Sequence, residues 1–340
     1  MPLVLNEQWL GRRVVVRRLV DRDQDDRLVL ADAVGDLLEV GDDDAVIETR
    51  SGTVTVRRRD VTAARLAVPS AAEVLSLEAV SARGWRSSET AEIDGWLLRA
   101  DGGCTGRANA ALPLRTTRDL NAVLGAARDW YATRGLPLRI QSPLPTRRLL
   151  DTELAARGWL ADPDVQVLAA RLDMLRRVRP ADGAPPHGHD RSTDPSTGLR
   201  TDVRLEPTPD AAWLAAAHRD AEPLPLRARA LLTRHDAVAF ASIRTGGRAV
   251  AIARGAVDAG WLGITAVEVD PAYRRLGLAD SLLAALWAWG AREHAASRSY
   301  LQVRSTDTAA ISAYTRLGYW RHHDYRSRTE PATGQPSPAG

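Results

Sequence analysis

Apolar and polar positions change period several times along these 340 residues, and each change marks an element. From Gly11 to about Ala67 the period is two. The runs VVVRRLV, GDLLEV, AVIETR and TVTVRRRDV alternate between Asp- and Gly-rich turns, which predicts short strands. The Ser51-Gly52 step between two β-rich runs predicts a hairpin turn. A small all-β barrel over residues 1–68 is the expectation.

Beyond Pro69 the pattern alternates between periods of 3.6 and two, as a mixed α/β segment requires. Residues 69–178 predict a helix near 71–83, strands at GWLLRA and NAALPL, a helix over 120–133, a strand at LRIQS, a helix through LLDTELAARGW and a strand at VQVLAAR. Residues 179–198 are rich in Pro, Gly, Asp and Ser, which predicts a flexible linker. A second α/β segment spans residues 199–328: VRLEP, a helix at DAAWLAAAHRD, strands AVAFASIR, RAVAIARGAV and WLGITAVEV, a long helix over about 277–293, YLQV, a helix at DTAAISAYTRLG, and YWRHHDYRS. Residues 329–340 predict a disordered tail.

The two segments share one order. LGAARDWYATRG, LRIQ and LAARGW in the first match LWAWGAREHAA, YLQV and YTRLGYW in the second, with Gln141 opposite Gln302 and Gly158-Trp159 opposite Gly318-Tyr319. An internal duplication explains this most simply.

Composition narrows the class. With 44% hydrophobic and 26% charged residues, the chain reads as a soluble globular protein of several units. All 46 basic residues are Arg, and the formal net charge is only +3. The Arg12-Arg13, Arg17-Arg18 and Arg57-Arg58-Arg59 clusters suit phosphates or an acidic partner, which keeps nucleic acid open as a partner, although Asp-rich turns offset them. The single cysteine, Cys104, excludes an internal disulfide and a Cys-based zinc site. The start shows no secretory leader, and LADSLLAALWAWGA falls short of the ~20 residues that span a bilayer. A cytoplasmic protein without membrane association is expected; oligomeric state stays open.

The candidate chemistry lies in residues 267–281. Strand-like Thr265-Ala266-Val267-Glu268-Val269 is closed by Pro271, and Arg274-Arg275-Leu276-Gly277-Leu278-Ala279-Asp280-Ser281 opens a helix whose Leu278, Leu282, Leu283, Leu286 and Trp289 share one face. A glycine turn leading into a helix N-terminus offers free N–H groups and a favourable dipole to a pyrophosphate, and two arginines add charge. A strand immediately before it can pair through its backbone with an amide-bearing arm. Strand YLQV follows, then a helix that ends Tyr314-Thr315-Arg316-Leu317-Gly318-Tyr319.

These motifs resemble the GCN5-related N-acetyltransferase (GNAT) superfamily. The whole chain resembles an actinobacterial multidomain type with an N-terminal SH3-like barrel and tandem GNAT halves, to which N-acetylglutamate synthase and histone-type activities are both attributed. The resemblance implies an α+β fold with a mixed sheet flanked by helices, and acetyl-CoA as co-substrate with no metal. It implies that the backbone of Val267 and Val269 holds the pantetheine arm, and that residues 274–281 hold the pyrophosphate. Tyr314 is then the general acid for the departing thiolate, Glu268 the base that takes the amine proton, and the Val269 N–H the oxyanion donor. Asp307 stands where the family often has Asn.

The first segment lacks these features. Its Arg115-Thr116-Thr117-Arg118-Asp119 has no phosphate-turn glycine, and Leu154 replaces the tyrosine, so a degenerate half that shapes the substrate cleft is expected. Trp96 and residues 106–109 are candidate cleft residues. The acceptor is an amino acid such as glutamate, for which Arg227, Arg229 and Arg234 are the candidate partners, or a protein lysine, for which Asp210, Asp220 and Glu222 are. A non-catalytic acetyl-CoA sensor or nucleic-acid-associated protein is the alternative. Among histidines, His187 and His189 complete no metal pattern, His218 is a substrate-side candidate, and alternation lets only one of His322 and His323 face the cleft.

Overall fold

The computed structural model describes residues 5–22, 24–25, 27–178, 202–217 and 225–331. The expected linker, His187, His189, His218, Asp220, Glu222 and residues 332–340 lie outside them. Two compact units are present, Met1–Ser70 and Ala71–Gly340.

In the first unit, β1 (Arg13–Arg22), β2 (Leu28–Val40), β3 (Asp44–Thr49), β4 (Gly52–Arg57) and β5 (Val61–Leu66) form an antiparallel sheet in the order β4-β3-β2-β1-β5, the barrel-like part of the chain. Leu5, Val14, Val16, Leu37, Ile47 and Val56 are its buried core. The hairpin between β3 and β4 turns at Arg50-Ser51, one step before the expected pair, with Thr49 opposite Gly52. Strand β2 begins seven residues before GDLLEV. Its first residues, Leu28, Val29 and Leu30, are all exposed, so no buried-face alternation announced them. Of the arginine clusters, Arg17 pairs with Asp32, and Arg58 donates to the carbonyls of Gly41 and Leu5.

The second unit is a mixed α/β structure. Its first segment comprises α1 (Ala71–Gly84), β6 (Glu89–Ile93), β7 (Trp96–Ala100), β8 (Leu112–Pro113), α2 (Leu120–Ala132), β9 (Arg139–Leu144), α3 (Arg148–Ala156), β10 (Leu160–Ala161), β11 (Val165–Arg171) and α4 (Leu172–Val178). The second comprises β12 (Arg204–Glu206), α5 (Ala211–Ala217), α6 (Leu226–Thr233), β13 (Val238–Thr245), β14 (Arg248–Asp258), β15 (Trp261–Val269), α7 (Leu278–His294), β16 (Arg298–Arg304), α8 (Thr308–Arg316) and β17 (Trp320–Thr329). The strands β6 and β10 and the helices α4 and α6 were not anticipated.

The two segments exchange strands. The large sheet runs β10-β17-β11-β16-β15-β14-β13-β12, with β9 on the far side of β17. Strand β11 of the first segment therefore fills the space between β16 and β17 of the second, antiparallel to both. In return β17 pairs with β9, from Asp324 opposite Leu144 to Thr329 opposite Arg139. Buried Asp151 on α3 secures the exchange, accepting from Arg328 at 2.6 Å and Arg326 at 2.9 Å. An ion pair so enclosed is costly to break, because the surviving charge would stay buried.

Leu282, Leu283, Leu286 and Trp287 of α7 pack on one face of this sheet with Ala239, Ala241, Ala253, Ile264 and Leu301. A second cluster joins Trp213, Leu231 and Leu232 of α5 and α6 to Phe240 and Ile252, and it includes Trp85 and Ala108 of the first segment. Near the exchange, His323 contacts Glu78 at 2.8 Å, and both side chains are buried. His322 is skipped in the pairing of β17 with β11, so this bulge overrides simple alternation. The two Nδ1 atoms lie 2.8 Å apart, and burial, then His323, holds the His322 imidazolium down to about 3.

Candidate active site

Strand β15 is where the sheet opens. It pairs in parallel with β16 only from Trp261 opposite Arg298 to Ile264 opposite Leu301. Ala266 then takes a left-handed φ of 52°, and the pairing with β14 shifts register between Ile252 and Arg254. A β-bulge of this kind bends its strand. Meanwhile β16 stays with β11 as far as Arg304, so β15 and β16 separate beyond Ile264.

The backbone orientation beyond the bulge follows from one bond. The Asp270 N–H donates to the Val250 carbonyl at 2.8 Å, on the β14 side. Backbone groups alternate along a strand, so the N–H and C=O of Val269 and Val267 point to the side β16 has left. Their side chains pack against the α7 core, while Ala266 packs against the Trp85–Trp213 cluster on the other face. Glu268 is exposed.

The turn after β15 is built by its own carboxylate. Asp270 accepts from the Ala272 N–H at 3.0 Å, starting a short 3-10 helix over Pro271–Tyr273, and is held by Arg248 at 3.0 Å. Arg275 has a φ of 64° and Gly277 one of 72°, and Gly277 is the N-cap of α7 with no side-chain cap. The first i to i−4 bond of α7 runs from the Ser281 N–H to the Gly277 carbonyl, and the Ser281 hydroxyl bonds the same carbonyl at 3.2 Å. The N–H groups of Leu278 and Ala279, ahead of that bond, have no i−4 acceptor within the helix. A Cβ built on Gly277 would meet nothing within 4 Å, so space lies open above this N-terminus. Arg274, Arg275 and Leu276 are exposed, Ala279 and Asp280 half-buried, and Leu278 anchors the turn in the core.

Helix α8 brings the phenol. Its N-cap Asp307 accepts from the Ala310 N–H at 3.0 Å, which fixes the helix start. Tyr314 lies edge-on to Tyr319, ring centroids 6.0 Å apart, and packs against the same buried core as Val267 and Val269. Its phenol is pushed up to about 12, chiefly by burial, then by the charges of Asp307 and Glu268. The fold therefore gathers Glu268, Asp307 and Tyr314 around the opened end of β15. An open strand backbone, an uncapped helix N-terminus and a neutral phenol fit acetyl-CoA.

The other candidates fall into different places. Trp96 is buried in the first segment's own core. Arg107 lies over the Trp85 ring at 5.2 Å and donates to Gln302 at 2.6 Å, and Asn109 braces the loop through the N–H groups of Asp101 and Gly103. Arg234 is committed to Asp101 and the Arg86 carbonyl, both at 3.0 Å, Arg229 has other contacts, and Arg227 is exposed. Asp210 caps α5 and pairs with Arg244. The bulge at Ala266 escaped the sequence reading, since alanine carries no left-handed preference. Among the described residues no group of His, Cys, Asp or Glu is placed to hold a metal ion, and no helix is long and apolar enough to cross a membrane.

Comparison with known proteins shows the family and the fold. Residues 71–328 match a family model described as probable histone acetyltransferase Rv0428c C-terminal. The chain belongs to this acetyltransferase family. Outside the matched region too, it is 32% identical over 332 residues to the probable histone acetyltransferase Rv0428c of Mycobacterium tuberculosis, covering 93% of this chain and 94% of that protein. The fold is shared with a GCN5-related N-acetyltransferase from Kribbella flavida (TM-score 0.54, 17% identity, 76% of this chain and 96% of that one). It is also shared with a tandem GNAT protein from the clavulanic acid biosynthesis pathway (TM-score 0.51, 16% identity, 78% and 91%). This acetyltransferase is thus a GNAT-fold N-acetyltransferase, preceded by a small barrel-like β unit.

Proposed function

We propose that residues 199–328 form the catalytic half and transfer the acetyl group of acetyl-CoA to a primary amine by direct attack on the thioester. The observation that carries this is the separation of β15 from β16 in front of the uncapped N-terminus of α7. Backbone groups of Val267 and Val269 bind the pantetheine arm as an added strand would, and residues 274–281 hold the pyrophosphate. The Val269 N–H stabilises the oxyanion that develops as the amine attacks. Glu268, exposed at the strand edge, takes the amine proton directly or through water. Tyr314, kept neutral by burial, gives its proton to the departing thiolate. Asp307 caps α8 and cannot offer the amide donor that Asn would.

For the acceptor, a lysine of a basic protein is the better supported class. The relative sharing 32% identity is named a probable histone acetyltransferase, and Arg234, a candidate anchor for a free amino acid, is already committed to Asp101. The decisive assay is CoA release with lysine-containing peptides of basic proteins, glutamate and polyamines, alongside Glu268→Gln and Tyr314→Phe. Turnover with the peptides, lowered about 100-fold by either substitution, is expected. Turnover only with free glutamate would overturn the acceptor reading, and tight acetyl-CoA binding without any turnover would favour a sensor.

A further inference from the structure

Helix α3 of the first segment and α8 of the second are nine residues each and align without a gap from their cap residues through Trp159 and Tyr319. Arg147 is therefore the counterpart of Asp307, just as Leu154 is of Tyr314. The first segment also begins to open its sheet as the second does. Ala111 and Ile140 make a single parallel bridge, and β8 ends at Pro113. Here, however, the opening is crossed. The Arg147 guanidinium donates from Nε to the Pro113 carbonyl at 2.9 Å and from an Nη to the Leu114 carbonyl at 2.8 Å. Only 9% of Arg147 is exposed, and both of these acceptors are neutral carbonyls. A buried guanidinium is sustained only where such acceptors replace its water.

The helix that follows is closed as well. Asp119 caps α2, its carboxylate accepting from the Ala122 N–H at 3.0 Å, while Gly277 leaves the N-terminus of α7 without a side-chain cap. An anionic cap stands where a pyrophosphate would need the same N–H groups, and like charges exclude each other there.

We infer that the first half retains the outline of a cofactor cleft whose occupant is the chain's own Arg147, so that each chain binds one acetyl-CoA. Arg147 takes up strand carbonyls that an amide-bearing arm would otherwise contact. It also ties β8 to the start of α3, the helix whose Asp151 holds β17 of the catalytic half. The internal ligand thus braces the exchanged strands permanently. This inference rests on the catalytic half being the acetyl-CoA site, and the experiment separates the two.

Calorimetric titration with CoA should give one site per chain for the unaltered protein and none for Gly277→Val. Two sites, or binding that survives in Gly277→Val, would overturn the inference. A second arm needs no CoA. Arg147→Ala should lower the thermal midpoint by roughly 5 °C, and millimolar methylguanidinium should restore part of the loss by entering the vacated space, with no such gain for sodium chloride or for the unaltered protein. No rescue would overturn the internal-ligand reading even if CoA binds once. Rescue without any CoA binding would sustain it while refuting the proposed cofactor.

Discussion

The two α/β halves share a run of three strands, a helix, a strand and a helix, and they differ at the points where a cofactor would be held. In the second half Ala266 bends β15 away from β16, Gly277 gives its helix N-terminus no side-chain cap, Asp307 caps α8 and Tyr314 lies within range of the Glu268 and Asp307 charges. In the first half Arg147 bridges the opening, Asp119 caps the helix, and Leu154 is buried where the phenol would be. A cleft that waits for a ligand keeps its backbone groups unspent, whereas a cleft that has become structure satisfies them from within. Because buried polar groups must be paired, the hydrogen bonds at a cleft distinguish these two states more clearly than the fold does.

The harshest way to break the comparison is to separate the halves. Residues 199–340 expressed alone lack β11, which lies between β16 and β17, and should give no cooperative thermal transition. A sharp transition with intact acetyl transfer would show that the exchange is dispensable. Next in size are the matched changes at the two helix N-termini. Gly277→Val places a β-branched residue at a φ of 72° and should reduce kcat/KM more than about 1000-fold through loss of measurable acetyl-CoA binding. Asp119→Ala should leave kinetics unchanged and cost about 1 kcal/mol of stability, the usual value of a cap. Denaturant unfolding and steady-state kinetics on both variants check the pair.

A smaller effect sharpens the role of Tyr314. Burial favours the neutral phenol, raising it to about 12, so the acid form persists through the range where an ordinary tyrosine begins to ionise. The kcat profile should therefore show no alkaline fall from pH 8 to 10. A fall with a midpoint below 10, absent in Tyr314→Phe, would contradict that environment.

Much of this was legible in the sequence where a pattern has one physical cause. The amphipathic runs gave α1, α2, α7 and α8 within a residue or two, and the Gly277 turn announced itself because few other residues tolerate left-handed φ. What stayed hidden was set by tertiary pairing. The exchange of β11 and β17 leaves no local trace, since either strand has the same alternation whichever partner it joins. Ala266 and the bulge at His322 are likewise imposed by the sheet. Nothing in the sequence sets Arg147 apart among 46 basic residues, and only the fold shows its guanidinium enclosed.

Amide hydrogen exchange with and without acetyl-CoA tests the central claim most directly. The account predicts new protection in residues 267–281 and at the start of α8, and none in residues 111–122 or at the start of α3. Equal protection in both halves, or protection confined to the first, would contradict it.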